Sequence, residues 1–140
     1  MKFAANDFTT TLPDAWQDRT MITLVAPFAP GGFAANIVIT KHLVENSAGL
    51  EDFAFEQLQI MESSLPAFEL LDRRFTNIND FSAYQQLHRF KTENGLLQQV
   101  QTFLMGESAI FAITGSAQAE EFDLHINAFR TIVENFTLTE

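Results

Sequence analysis

The side chains best suited to catalysis or metal binding are few in this sequence and widely spaced. Its three histidines, His42, His88 and His125, lie on different predicted elements, and no two have the His-x-x-x-His spacing of a metal site. The absence of cysteine excludes a thiolate metal site and a cysteine nucleophile. The 18 carboxylates are scattered, without a pair that could divide acid and base roles. We therefore predict a non-catalytic protein without metal or cofactor, whose histidines lie at the surface or at an interface.

Among the polar residues, glutamines are better candidates for a binding role than the histidines and carboxylates are for catalysis. Gln57 lies on the first predicted helix, and Gln101 lies on a predicted strand, where it alternates with Leu97, Phe103 and Met105. Other glutamines crowd both regions, and most of them fit a solvent-facing role. An amide on an apolar strand face offers two donors and one acceptor without the cost of burying a charge. Gln101 is therefore a candidate for hydrogen bonding inside an apolar surface.

Length, charge and hydropathy restrict the classes of partner. The chain has 140 residues, a mass of 15.8 kDa and a formal net charge of −10, which fits one domain over residues 1–140. This charge disfavours both nucleic acid and an anionic membrane surface as partners. No apolar run is long enough to cross a bilayer, and the first residues lack the apolar segment of a signal peptide. We expect a soluble cytoplasmic protein without stable membrane association.

Two periodicities divide the sequence into strands and helices. Phe122, Ile126, Phe129 and Val133 recur at the helical period, and Asn94-Gly95 is typical of a hairpin turn. The order βββ-α-ββββ-α predicts an α+β fold with a predominantly antiparallel sheet of six to seven strands and two main helices. The predicted strands are Phe3–Leu12, Arg19–Pro27, Ala35–Val44, Ala67–Phe75, Phe81–Lys91, Leu96–Met105 and Ala109–Thr114, with Gly115 and Ser116 closing the sheet; the predicted helices are Leu50–Leu65 and Ala119–Leu138.

Several predicted strands are apolar on both faces, which two helices cannot cover completely. Met21 and Val25 oppose Ile22 and Leu24 on the second predicted strand. Either long loops or a homodimer hide the remaining surface, or it is a binding groove, because large exposed apolar patches mark interaction sites. A groove shared by two subunits combines these alternatives, so we predict a homodimer.

The residues around the start of the second predicted strand form a sequence motif that is specific enough to suggest a family. Leu12-Pro13, followed by Trp16, Asp18 and Thr20, resembles the opening of DcrB-related proteins. The resemblance covers essentially the whole chain, although the other matches are less specific. They are the strand residues 36–40, the start of the first helix at residues 55–58 and the Phe-rich last helix.

Within that family, a cytoplasmic branch of about this length contains the Eag chaperones of type VI secretion. The resemblance implies a PsbP/Mog-like fold and a homodimer that shields the N-terminal transmembrane segments of a secreted effector before export. The alternative is a non-catalytic PsbP/Mog-like scaffold that binds a folded protein partner. On the chaperone reading, the resemblance implies that the client-binding residues are Ile22, Leu24, Ile37, Ile39, Gln57 and Gln101.

Overall fold

The computed structural model describes residues 2–4, 8–27, 32–44 and 49–138. Within these residues, eight strands and two α-helices follow each other as four strands, a helix, four strands and a second helix, with a 3₁₀ turn at Ala119–Glu121. The elements are β1 (Lys2–Ala4), β2 (Thr9–Thr11), β3 (Met21–Val25), β4 (Asn36–Leu43), α1 (Leu50–Ser64), β5 (Glu69–Ile78), β6 (Phe81–Thr92), β7 (Gly95–Met105), β8 (Ala109–Gln118) and α2 (Phe122–Glu134).

Six of the strands form one antiparallel sheet, which confirms the predicted α+β class. Its spatial order is β3-β4-β8-β7-β6-β5, so β5 to β8 form a meander and β4 returns beside β8. The edges of the sheet are β3 and β5. Hairpin turns support the meander: Gly95 has a φ of 102°, and Asn79 and Asp80 have φ values of 50° and 69°, as a two-residue hairpin turn requires.

Several predicted strand boundaries were wrong, and one of them is the end of Ala67–Phe75, which continues to Ile78 as β5. The expected single strand Phe3–Leu12 is two short strands that pair with each other, with Lys2 opposite Thr11; residues 5–7 between them lie outside the described residues. A period of two does not distinguish one long strand from the two arms of a hairpin. The last strand does not end at Thr114 but continues to Gln118, because β4 pairs with it as far as Ser116 and β7 pairs with it as far as Gln118.

The two helices lie on opposite faces of the sheet. We call these the α1 face and the α2 face. On the α1 face, Ala54 packs in a cluster with Tyr84, Phe103 and Ile110. On the α2 face, the buried residues of the helix, Phe122, Phe129 and Val133, pack on Ile37, Leu104 and Ile113. Successive strand residues point to alternate faces, so the adjacent residues Phe103 and Leu104 belong to different cores.

Gly115 fixes how closely α2 approaches the sheet. A Cβ atom at this position would lie 2.8 Å from the ring of Phe129, closer than real Cβ contacts allow. The helix therefore sits directly over the backbone of β8.

Both predicted helices are confirmed. The predicted helix Ala119–Leu138 is α2 in a shorter form. The predicted helix Leu50–Leu65 agrees with α1 to within one residue.

The family-like motif before β3 is a turn. The amide of Trp16 donates a hydrogen bond to the carbonyl oxygen of Pro13 at 3.2 Å. Asp18 then accepts hydrogen bonds from the backbone N–H and the hydroxyl of Thr20, and these bonds lower the pKa of the Asp18 carboxyl. An aspartate that bonds the backbone two residues later is a common turn-forming device. The motif thus directs the chain into the edge strand of the sheet.

Candidate functional site

The sheet register brings the four predicted apolar site residues together. Ile22 lies opposite Ile39, and Leu24 lies opposite Ile37, where β3 meets β4 on the α2 face. Ile37 is only 2% exposed and belongs to the core under α2, and Ile39 packs against that core. Ile22 and Leu24 are 50% and 45% exposed. The four residues therefore form one apolar patch, and its β3 half is open to solvent.

An apolar groove continues this patch towards α2. Its volume is about 480 Å³, and it runs between the end of β3 and the helix. Leu24 and Ile37 line the strand side, while Leu124, Phe129 and Ile132 line the helix side. The groove is therefore an extension of the predicted patch, and we call it the α2 groove.

Gln57 and Gln101 lie on the other side of the sheet. Gln101 is opposite Thr114, and its Nε2 donates a hydrogen bond to the Thr114 hydroxyl at 3.2 Å. The Oε1 atom of Gln101 is buried and has no hydrogen-bond partner. Gln57 is half-buried on α1, between the buried Ala54 and Leu58. The six predicted residues thus form two sets on opposite faces of the sheet and do not line one surface of one chain.

Gln101 is part of a row that crosses four strands of the α1 face. Thr23, Val38, Thr114 and Gln101 are each directly opposite the next, and Val25 begins the adjacent row. Thr23 and Val25 are exposed, whereas Val38 and Thr114 are half-buried. Three strand spacings span roughly 14 Å, and an α-helix with side chains is about 10 Å wide. This four-strand surface is therefore wide enough for one helix.

A chain of hydrogen bonds lies beside the four-strand surface. The Tyr84 hydroxyl donates to Gln86 Oε1, and Gln86 Nε2 donates to His88 Nδ1 at 2.8 Å. His88 Nε2 then bonds Gln99 Oε1 at 2.7 Å, and Gln99 Nε2 donates to the Ser116 hydroxyl at 2.9 Å. Each polar group has a partner, which is what burial of polar side chains requires. We call these five residues the polar chain.

The polar chain requires a neutral imidazole at His88. Gln99 presents its carbonyl oxygen to His88 Nε2, so that nitrogen carries the proton and Nδ1 is the acceptor for the Gln86 amide. Burial lowers the pKa of His88, and the hydrogen bond with Gln99 opposes this effect without reversing it. Burial likewise raises the pKa of the Tyr84 phenol. Both effects keep the chain uncharged.

The expected surface position of the histidines was wrong for His88. Its side chain is 0% exposed, because it alternates with Tyr84 and Gln86 along the buried face of β6. Tyr84, Gln86 and His88 occupy every second position of β6, and this spacing is the signal that could have revealed the polar chain. His42 is half-buried, bonds the Thr40 hydroxyl at 3.0 Å and has a pKa lowered by burial.

The described residues offer little to a metal ion. Across residues 8–27, 32–44 and 49–138, no three His, Asp or Glu side chains lie close enough together to hold one. The polar chain consists of neutral groups that already satisfy each other. The α2 face has an apolar patch with a groove, and the α1 face has a broad surface that includes Gln101, whose amide oxygen is unpaired. Both surfaces are suited to binding another molecule.

No helix within the described ranges is both long enough and apolar enough to cross a bilayer.

Comparison with known proteins adds one curated relative. A Pseudomonas aeruginosa PAO1 protein named Effector EagT6 is 25% identical over 123 residues, which is 88% of this chain and 85% of the relative.

Three solved structures share the fold. A Pseudomonas aeruginosa protein of unknown function described as PA94, a putative regulator, has a TM-score of 0.87 at 22% identity and covers 100% of this chain and 97% of its own. LpqN of Mycobacterium tuberculosis, described as involved in cell envelope biogenesis, has a TM-score of 0.62 at 20% identity, with 84% and 71% covered. The PsbP protein of Synechocystis sp. PCC 6803 has a TM-score of 0.60 at 11% identity, with 99% and 92% covered.

The structural similarities, all under 25% identical, establish the fold alone. A family model extends the comparison to the sequence itself, because the model described as DcrB matches residues 9–135. This range contains the turn before β3, the whole six-stranded sheet and both helices. The chain therefore belongs to the DcrB family.

Proposed function

We propose that the protein is a non-catalytic chaperone of a type VI secretion effector, and that it shields the effector's N-terminal transmembrane helices before export. The observation that carries the proposal is the edge strand β3, where all five residues are exposed and four of them are apolar. The 25% identity to Effector EagT6 supports the effector as the partner. A transmembrane helix presents about 20 apolar residues, which aggregate in water unless another apolar surface covers them.

The two sets of predicted residues suggest two contacts. One client helix lies on the four-strand surface, where rotation of the half-buried Gln101 amide would present its unpaired Oε1 atom to the client, and Gln57 lies on α1 over the same face. Transmembrane helices carry Ser and Thr for helix–helix contacts, and their hydroxyl groups are suitable donors for that oxygen. A second helix packs on the patch on the α2 face, where Ile22 and Leu24 are exposed above Ile37 and Ile39. This division accommodates more than one transmembrane segment around a single edge strand.

A homodimer completes the proposal. Exposed edge strands expose unpaired backbone groups, and natural proteins usually cover or charge them. Of the two edges, β3 carries no charged residue, whereas β5 carries four. A second copy that covers part of β3 would protect it while leaving a shared groove. Light scattering at micromolar concentration should give about twice 15.8 kDa, and a monomer at every concentration would contradict this part of the proposal.

Client binding can be tested with a defined probe. The probe is a carrier protein fused to a 20-residue helix of Leu, Ala, Gly and Ser, co-expressed with the chaperone and recovered by affinity purification. We expect capture of this fusion but not of a carrier whose helix has Lys at every fourth position. Equal capture of both fusions, or of neither, would contradict the proposal and favour a scaffold that binds folded partners.

Variants separate the two contacts. Thr23→Asp places a charge on the four-strand surface, and Ile22→Asp places one on the patch of the other face. We expect each to reduce capture of the fusion, since an unpaired charge in an apolar contact is costly. Thr9→Asp on β2 is the matched control, because it is an exposed strand residue outside the six-stranded sheet. If only one of the first two variants loses capture, the corresponding face alone is the client site.

A further inference from the structure

A second cleft lies on the α2 face, at the other end of the sheet from β3. It has a volume of about 280 Å³ and lies between α2 and the strands β5 and β6. Arg74 and Arg130 line it from the strand side and the helix side, and Ile78, Val100 and Ile126 supply apolar walls. The cleft shares only Phe129 with the α2 groove. We call it the arginine cleft.

Neutral amides orient the two arginines. Arg74 donates from Nε and Nη2 to Gln85 Oε1 at 3.3 and 2.9 Å, and Gln85 Nε2 in turn donates to the buried Thr102 hydroxyl at 3.3 Å. Arg130 donates from Nη1 to Asn127 Oδ1 at 3.4 Å. Amide oxygens position a guanidinium without neutralising it, so both positive charges and several N–H donors remain for another acceptor.

Arg89 lies on the same face of the sheet but, unlike Arg74 and Arg130, is paired with a carboxylate. Arg89 donates to Glu69 at 3.1 Å and forms the one ion pair found among the described residues. Neither Arg74 nor Arg130 has a described carboxylate within ion-pair distance, although the chain carries 18 acidic residues. Two arginines without an ion-pair partner therefore lie in one cleft, a local reversal of the overall charge of −10.

We propose that the arginine cleft binds an extended segment of a partner protein in which one carboxylate lies beside an apolar side chain. The charged groups that line the cleft are Arg74, Arg130 and Glu134, which sum to a single positive charge. That charge matches one carboxylate and not a phosphate dianion, and arginine is the residue best shaped to bind carboxylate oxygens. The walls formed by Ile78, Val100 and Ile126 accept the neighbouring apolar side chain. This proposal is independent of client binding at β3.

A titration followed by ¹⁵N–¹H NMR tests the proposal on the full chain. The probe is the peptide acetyl-Ala-Leu-Glu-Leu-Ala-amide, and the matched probe has Gln in place of Glu. We expect the Glu peptide to shift the amide signals of β5, β6 and α2 around the cleft, and the Gln peptide to bind about tenfold more weakly, as expected when a charged hydrogen-bond partner is lost. Equal affinity for the two peptides, or no shift at millimolar peptide, would overturn the proposal.

Adjacent arginines provide the control. Arg74→Gln and Arg130→Gln should each weaken binding of the Glu peptide about tenfold. Arg73→Gln removes the same charge on the neighbouring residue, which points to the opposite face of the sheet because Arg73 pairs with Gln86. It should change the affinity less than about twofold. A carboxylate site would be contradicted if Arg73→Gln weakened binding of the Glu peptide as much as Arg74→Gln does. It would also be contradicted if inorganic phosphate shifted the same amide signals and bound more tightly than the peptide.

Discussion

The two faces of the sheet bury their strand residues in different ways. Beneath α2, the α2 face is closed by apolar packing, with Phe129 and Val133 resting on Ile113 and on the bare backbone at Gly115. The α1 face combines an apolar cluster under α1 with the polar chain centred on His88. A fully satisfied polar network fixes side-chain orientations, whereas an apolar core constrains the volume of its side chains more than their hydrogen-bonding groups. The difference suggests that the α1 face is the one whose surface must keep a fixed shape.

The largest expected effect separates core from surface on the α2 face. Val133→Asp places an unpaired charge in the core under α2, which should lower the free energy of unfolding by about 4 kcal/mol or more. Ile22→Asp changes an exposed residue of the same face and should lower it by about 1 kcal/mol or less. Urea unfolding of both variants checks the comparison. Similar losses for the two would mean that Ile22 is a core residue and not part of an open patch.

A smaller change tests the contact between α2 and the sheet. Gly115→Ala forces a methyl group against the Phe129 ring and should cost about 1–3 kcal/mol of unfolding free energy. Gly49→Ala is the control, because a Cβ atom there meets nothing within 4 Å and the φ of −77° suits alanine. Because Gly49 is the N-cap residue of α1, where glycine is preferred over alanine, Gly49→Ala should still cost up to about 1 kcal/mol, less than Gly115→Ala. Thermal unfolding measures both, and a neutral Gly115→Ala would show that α2 can move away from the sheet.

Two glutamines on one strand test the polar chain on the α1 face. Gln99→Leu removes the partner of His88 and leaves its N–H group buried and unpaired, which should cost about 1–3 kcal/mol. Gln101→Leu removes an amide whose oxygen is already unpaired, so it should cost less stability. If Gln101 contacts the client as proposed, Gln101→Leu should instead reduce capture of the helix fusion. The reverse pattern in unfolding and capture assays would contradict the assignment of the two roles.

The smallest predicted effect is a pH dependence of stability. Burial lowers the pKa of both His88 and His42 below the ordinary value, so the unfolded chain binds protons that the folded chain does not. The free energy of unfolding should therefore fall as the pH drops below about 6.5, by at most about 1.4 kcal/mol per pH unit for His88 and by less for the half-buried His42, whose charge water screens. Urea unfolding at pH 7.5 and 5.5 measures the change.

The matched variant for this pH dependence is His88→Gln. It removes one titrating group from the α1 face, so its loss of stability on acidification should be smaller than that of the natural sequence. An unchanged loss would assign the pH dependence to other groups. The comparison between the two pH values cancels any constant cost of the substitution itself.

The sequence by itself determined the local elements and the class of fold. The apolar spacing of α1 and α2 and the hairpin between β6 and β7 depend on nearest neighbours in the chain, which is why they agree with the structure, although the two turn residues are Glu93 and Asn94 and Gly95 already pairs with Thr92. The match of the DcrB model to residues 9–135 likewise confirmed the family suggested by the turn before β3.

Only the tertiary structure decided how those elements share surfaces. Alternation shows that Ile22 and Leu24 lie on one face of a strand and that Gln101 lies on a face of another. Which residues of neighbouring strands share a face of the sheet depends on the register between the strands, and a shift by one residue moves every side chain of a strand to the opposite face. The same dependence on pairing hid the burial of His88 and the reversal between β1 and β2. Because strand pairing joins residues far apart in the chain, no local pattern could place the glutamines and the apolar patch on opposite faces of the sheet.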